Sequence, residues 1–230
     1  MNMANDGAKY GVDQYRFAHN YDLKSKSFTV TADDVKYTLT IMDRKKLMFG
    51  STKGEESFDY ECLKIEADTY FILFGSNVAV IELARGMATL ILQEGYIFGA
   101  VDIPGRMALV NFHSLSEDVV GTAVRWVLGC DKYVNHIYLS KDNCRAAWSP
   151  EGEIFSDYAA KYVKIKDGIY LVDVTGPIPD SAHAPSGSNR MIALQDYDHM
   201  MFVGCIFRGE SPMMISGYGE FPEFDPKLLT

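Results

Sequence analysis

The feature that most constrains this chain is a pattern stated twice, about one hundred residues apart. Lys64-Ile65-Glu66-Ala67-Asp68-Thr69-Tyr70-Phe71-Ile72-Leu73 recurs as Lys164-Ile165-Lys166-Asp167-Gly168-Ile169-Tyr170-Leu171-Val172-Asp173. Upstream, Tyr37 followed by Phe49-Gly50 is echoed by Tyr138 followed by Trp148; downstream, Ile97-Phe98 is echoed by Ile206-Phe207. One strand-turn-strand unit has been used twice, and a duplicated all-β unit points to paired barrels or sandwiches, shells that usually work by enclosing a small molecule.

Composition narrows the function classes. The chain has 230 residues and is 47% hydrophobic, enough for a buried core. Its 31 acidic against 22 basic residues give a formal charge of −9, which repels nucleic acid and anionic lipid. Runs such as Val78-Ala79-Val80-Ile81 are far below the roughly 20 residues of a membrane-spanning helix. Met1 to His19 is polar and lacks a secretory h-region, so a cytoplasmic protein is expected. Cys62, Cys130, Cys144 and Cys205 form no C-x-x-C pair and read as reduced thiols, with neither a zinc knuckle nor a disulfide framework.

The first 26 residues show no sustained period and read as an arm wrapping the first unit, with Tyr15, Phe17 and Tyr21 as anchors. From Ser27, β-branched and aromatic segments five to eight residues long end in Asp, Gly, Asn or Lys, the rhythm of strands and turns. We expect a first barrel-like unit over 27–105, a connection over 106–120 near a Ser-capped turn, and a second unit over 121–209. The tail, 210–230, with its glycines and prolines, reads as irregular chain on the surface. The second unit alone carries a Pro/Gly/Ser insertion from Gly176 to Ser188, either a lid over a barrel mouth or a plain hairpin tip.

No phosphate-binding loop, dinucleotide fingerprint, nucleophile elbow or H-E-x-x-H is present, so no cofactor is expected. The five histidines never fall at i, i+2, and no metal site is expected. The densest constellation is Tyr133-Val134-Asn135-His136-Ile137-Tyr138-Leu139-Ser140. A strand here puts His136 and Tyr138 on one face and Ile137 and Leu139 on the other. If the first face turns inward, an imidazole beside a phenol in an apolar cavity forms a proton donor–acceptor pair; if it turns outward, both are solvated. Glu82 and Asp196 end matching apolar runs, either as general bases or as caps of the next turn. Asp173, inside an apolar strand, needs a partner such as Arg145 or Arg190. Tyr37, Phe49, Trp148, Tyr162 and Tyr170 either line a pocket or fill the core. The crowded Met191, Met200, Met201, Met213 and Met214 either form an adaptable apolar wall or fill irregular core gaps.

His136-Ile137-Tyr138-Leu139-Ser140, then Trp148, then Lys164-Ile165-Lys166-Asp167-Gly168-Ile169-Tyr170-Leu171, resembles the C-terminal half of MoaF-type proteins, with its H-I-Y-L motif, Trp-ended strand and K-I-x-D-x-L-Y-L hairpin. Arg145-Ala146-Ala147-Trp148 and Pro150-Glu151-Gly152 stand where that family carries other stretches. The resemblance implies a calycin-like barrel, the group that includes lipocalins and phenolic acid decarboxylases. The leading expectation is a cofactor-independent enzyme. It would act by proton transfer on a small apolar, aromatic or conjugated molecule, as an isomerase, cyclase or decarboxylase. Its catalytic groups are then drawn from His136, Tyr138, Glu82 and Asp196, and its binding groups from Tyr37, Trp148, Tyr162, Tyr170, Asp173 and Arg145. The alternatives are a lipocalin-type carrier and a barrel filled by its own side chains. Exposed strand edges would allow a homodimer.

Overall fold

The computed structural model describes residues 14–103, 113–149, 154–179, 186–209 and 211–223. The expected boundary at Pro104-Gly105, the Pro150-Glu151-Gly152 turn, the middle of the insertion and the last residues of the tail lie outside them. The described chain is all strand and turn and forms two closed antiparallel barrels of eight strands each.

The first barrel runs in sequence order through β1 (Ser27–Ala32), β2 (Val35–Ile41), β3 (Lys46–Ser51), β4 (Gly54–Glu66), β5 (Thr69–Phe74), β6 (Asn77–Glu82), β7 (Met87–Leu92) and β8 (Gly95–Val101), closing β8 onto β1. A two-residue strand, β9 (Ser114–Leu115), follows. The second barrel is built from β10 (Ala123–Gly129), β11 (Lys132–Ser140), β12 (Asn143–Trp148), β13 (Ser156–Lys166), β14 (Ile169–Thr175), β15 (Arg190–Asp196), β16 (Met201–Arg208) and β17 (Ser211–Glu220). It closes through β17 on β10 and β12 on β13. Ser116 does not cap a helix; its hydroxyl accepts the Asp118 N–H at 3.1 Å in a turn ahead of β10.

The side-chain period of two divides each strand between the barrel interior and its outer face. In β13, Tyr158, Ala160 and Tyr162 are buried inside, while Asp157, Ala159 and Lys161 are exposed outside. In β5 all six residues are buried, consistent with a continuous apolar run. Each barrel has its own core, the first around Leu39, Ile41, Ile72 and Leu90, the second around Trp126, Tyr138, Tyr162 and Phe202. Each such side chain taken out of water contributes roughly 1.5–3 kcal/mol.

Two expectations need correction. The segment from Ser211 is not surface tail but β17, held between β10 and β16. Its Gly217 and Gly219, with Pro222 and Pro226 beyond, argued against a strand. However, Gly217 is where the strand crosses β10: a Cβ there would lie 2.0 Å from the Val127 carbonyl oxygen. The arm also divides its contacts. Gln14 accepts the Cys130 N–H at 2.8 Å, and the Tyr15 and Phe17 rings meet Tyr218, so residues 14–17 belong with the second barrel. Asn20 donates to the Cys62 carbonyl at 2.7 Å and belongs with the first.

The duplication is stricter in three dimensions than in sequence. Both β4–β5 and β13–β14 shift register by one residue, at Lys64/Glu66 and at Lys164/Lys166. The segment entering each barrel is clamped alike: Lys64 to Asp22 and Lys164 to Asp118, both at 2.8 Å. Strand pairing then fixes equivalence. Ile41 N–H donates to Lys26 and Tyr138 N–H to Thr122, so Tyr138 corresponds to Ile41 rather than to Tyr37. Likewise β16 corresponds to β7, so Ile206-Phe207 is not the counterpart of Ile97-Phe98 in β8.

Candidate functional site

The inward-turning face of β11 carries Val134, His136 and Tyr138, and both polar side chains are fully buried inside the second barrel. The adjoining hydrogen bonds form a chain. Tyr138 Oη donates to Gln195 Oε1 on β15 at 2.7 Å, and the half-buried Tyr197 donates to the same oxygen at 3.0 Å. Trp126 Nε1 approaches Tyr138 Oη at 3.5 Å, and His136 Nδ1 lies 3.2 Å from it. A phenol has one proton, and Gln195 takes it, so His136 must donate from Nδ1. The other ring nitrogen, Nε2, is then a bare lone pair. Among the described residues it is buried without a hydrogen-bond partner, as is Gln195 Nε2, whereas the Trp148 indole and the Tyr158 hydroxyl bond to each other.

Burial dominates the electrostatics. It lowers the pKa of His136 to about 3, so the imidazole is neutral at physiological pH, and it pushes the Tyr138 phenol well above its ordinary value. An unfolded chain takes up a proton at His136 near pH 6.5 whereas the folded one does not until about pH 3. Stability therefore falls as pH drops through that window, by up to about 1.4 kcal/mol per pH unit from this group. Urea titrations of wild type and His136→Leu at pH 7, 5.5 and 4.5 should show a shallower decline in the variant; equal slopes would place the imidazole in water.

The first barrel supplies an internal comparison. His136, Tyr138 and Gln195 occupy the positions of Leu39, Ile41 and Ile81, all aliphatic. Bulk is redistributed as well. Val30, Ile41, Cys62 and Ala88 become Trp126, Tyr138, Tyr162 and Phe202, an aromatic plug toward the end that the Ser116–Thr122 segment covers. Toward the other end, Phe49, Tyr60, Phe74 and Leu90 become Ala146, Ala160, Val174 and Gly204. Ala146 stands directly opposite His136 in the β11–β12 register. The imidazole therefore sits where the plug meets a layer of small side chains, Ala146, Ala160, Val174 and Gly204.

The same interior also holds Trp148, Tyr158 and Ile178, all buried. Ile178 belongs to the insertion between β14 and β15, whose base is tied by Ile178 N–H to the Ser188 carbonyl at 2.9 Å and Gly176 N–H to that of Asn189 at 3.0 Å. In the first barrel the same connection is the two-residue turn Gly75-Ser76. Of the crowded methionines, Met191 and Met213 face this interior.

The remaining expected site residues are dispersed. Tyr162 meets the Tyr138 ring edge-on at 5.3 Å and Trp148 lies in the same interior. Tyr170, half-buried at the plugged end, donates to Asp118 at 3.2 Å. Tyr37 stacks on Phe49 in the first barrel and is not with the others. Asp173 and Arg145 are on outer faces: Asp173 takes two bonds from Arg190, at 2.9 and 2.6 Å, and Arg145 pairs with Asp157 at 2.8 Å.

Glu82 and Asp196 also lie on the outer faces of their strands and cap the following turns. Glu82 accepts the Arg85 N–H at 3.2 Å; Asp196 accepts those of Asp198 and His199, both at 2.9 Å. Burial alone would raise the Glu82 pKa, but neighbouring His113 and Arg85 reverse this and hold it below the ordinary value. The expected catalytic set is thus not assembled: His136 and Tyr138 meet each other, and neither carboxylate joins them. Sequence reasoning missed Gln195, Trp126 and Tyr197, as well as the small residues opposite and beside them. An alignment of the two repeats in structural register exposes all of them. Compared with known proteins, the chain matches no protein-family model and no curated protein.

Proposed function

We propose that the second barrel is a binding compartment for a small, uncharged, largely apolar molecule, of the calycin type that the sequence resemblance implies, and that the first barrel is its filled structural counterpart. The observation that carries this reading is a pair of buried polar atoms in one interior, His136 Nε2 and Gln195 Nε2, that meet no hydrogen-bond partner among the described residues, both on side chains that replace aliphatic residues of the other barrel. Each unsatisfied group costs about 1–3 kcal/mol, a load that a ligand bearing complementary groups relieves. No charged side chain stands at the lightened positions, so an anion or cation would enter without a counter-charge.

A second reading is favoured by the His136–Tyr138 contact itself: an unprotonated imidazole nitrogen beside a phenol suits proton transfer on a bound substrate, an isomerisation, cyclisation or decarboxylation without cofactor. The depressed basicity of His136 weighs against it. Crystals soaked with uncharged bicyclic aromatics test the compartment. The expected result is an occupant touching Ala146, Ala160 and His136. Density for ordered water alone at His136 Nε2 and Gln195 Nε2, with no binding in solution, would refute it. If a turned-over compound is found, His136→Ala or Tyr138→Phe should lower kcat by roughly ten- to ten-thousandfold.

A further inference from the structure

We infer that the molecule taken up by the second barrel presents a hydrogen-bond donor, a neutral hydroxyl or N–H, to Nε2 of His136, and that this contact selects it over analogues of the same shape without a donor. The inference rests on the proposed compartment and deepens it.

The argument is one of counting protons. Tyr138 Oη gives its only hydrogen to Gln195 Oε1 at 2.7 Å, and that oxygen also receives the Tyr197 hydroxyl at 3.0 Å. Gln195 therefore acts toward both tyrosines as an acceptor, and Tyr138 has no proton left for His136. Toward His136 Nδ1, 3.2 Å away, Tyr138 Oη is the acceptor and the imidazole the donor. A neutral imidazole with its hydrogen on Nδ1 has an unshared pair on Nε2. None of the described residues meets that pair, and the side chain is wholly buried. The residue opposite on β12 is Ala146, which has no polar side-chain atom and fills little space. A carbonyl or ether oxygen placed there would oppose lone pair to lone pair, whereas an O–H or N–H closes the chain from ligand through His136 and Tyr138 to Gln195. A site built to pair with a donor rejects the analogue that lacks it, because its own buried atom is then left unmatched.

The test is a matched pair of probes, 2-naphthol and 2-methoxynaphthalene, titrated into the full chain and into His136→Leu, which installs the residue the first barrel has at this position. The ether is the more hydrophobic, so burial alone favours it. In the wild type we expect 2-naphthol to bind at least about tenfold more tightly than the ether, the worth of one buried hydrogen bond. In His136→Leu that ratio should collapse to about one or invert. In parallel, the ring-nitrogen chemical shifts of His136 in the wild-type protein should report hydrogen on Nδ1 and move on adding 2-naphthol but not the ether. This arm decides the matter if the variant fails to fold. Equal binding of the two probes, a preference that survives in His136→Leu, or a shift pattern with hydrogen on Nε2 would overturn the donor contact while leaving the compartment intact. Binding of neither probe would instead overturn the compartment.

Discussion

Restoring the first barrel's bulk inside the second, by Ala146→Phe together with Ala160→Tyr, should weaken binding of an uncharged aromatic probe by at least about a hundredfold without unfolding the protein. The reason lies in the one-to-one correspondence of the two interiors: Phe49 and Tyr60 occupy these positions in a barrel of the same strand number and register. Large side chains forced into a packed core cost about 1–3 kcal/mol each through strained rotamers and displaced backbone. Large side chains entering space that a ligand otherwise fills should cost little and can add apolar contacts. The two situations separate when probe affinity and urea midpoint are measured on one preparation. Lost affinity with an unchanged or raised midpoint is the expected result. A drop of several kcal/mol would mean that the aromatic plug already extends through this half of the barrel. Mutation at Tyr37 in the first barrel should leave the affinity unaltered, since its ring packs on Phe49 within that barrel.

The largest effect on stability should come from Gly217→Ala. A methyl group at this position meets the Val127 carbonyl oxygen at 2.0 Å, and the obstacle is backbone of the strand to which β17 is bonded, so no rotamer change relieves it. Closure of the second barrel depends on that crossing, and we expect a loss of about 3 kcal/mol or more, far outside the range of surface substitutions. Gly99, its counterpart in β8, lies against the Thr31 carbonyl, where a Cβ would come within 2.7 Å, and Gly99→Ala should destabilise by the same mechanism but less. Gly121→Ala serves as the control. Its φ is +83° with nothing within 4 Å of the added methyl, so only the left-handed backbone is penalised, at about 1 kcal/mol. Chemical denaturation of the three variants should rank them Gly217, Gly99, Gly121; parity between the first and the last would mean that β17 can move aside.

The amino-acid sequence alone determined the secondary-structure class, the duplication and the strand-and-turn rhythm from Ser27. Those properties are local: alternating β-branched and aromatic residues broken by turn formers give strands wherever they occur. It also placed His136 and Tyr138 on one strand face, because the period of two is a property of the backbone. It named Arg190 as one of two candidate partners for Asp173. What it left open was which face turns inward, and that is decided only when a sheet closes and one side of every strand is taken from water.

The same closure explains the misread elements. Gly217 looks like a strand breaker until β10 is beside it, and the choice between base and turn cap for Glu82 and Asp196 is made only when the following turns are seen to end on their carboxylates. Echoed letters also misled: Tyr37 and Tyr138 match in type, but pairing aligns Tyr138 with Ile41. The tertiary structure alone made one barrel a control for the other. The function we propose rests on the difference between two interiors, Leu39 against His136, Ile81 against Gln195 and Phe49 against Ala146, and such a difference has no meaning until hydrogen-bonded register says which residues stand in the same place.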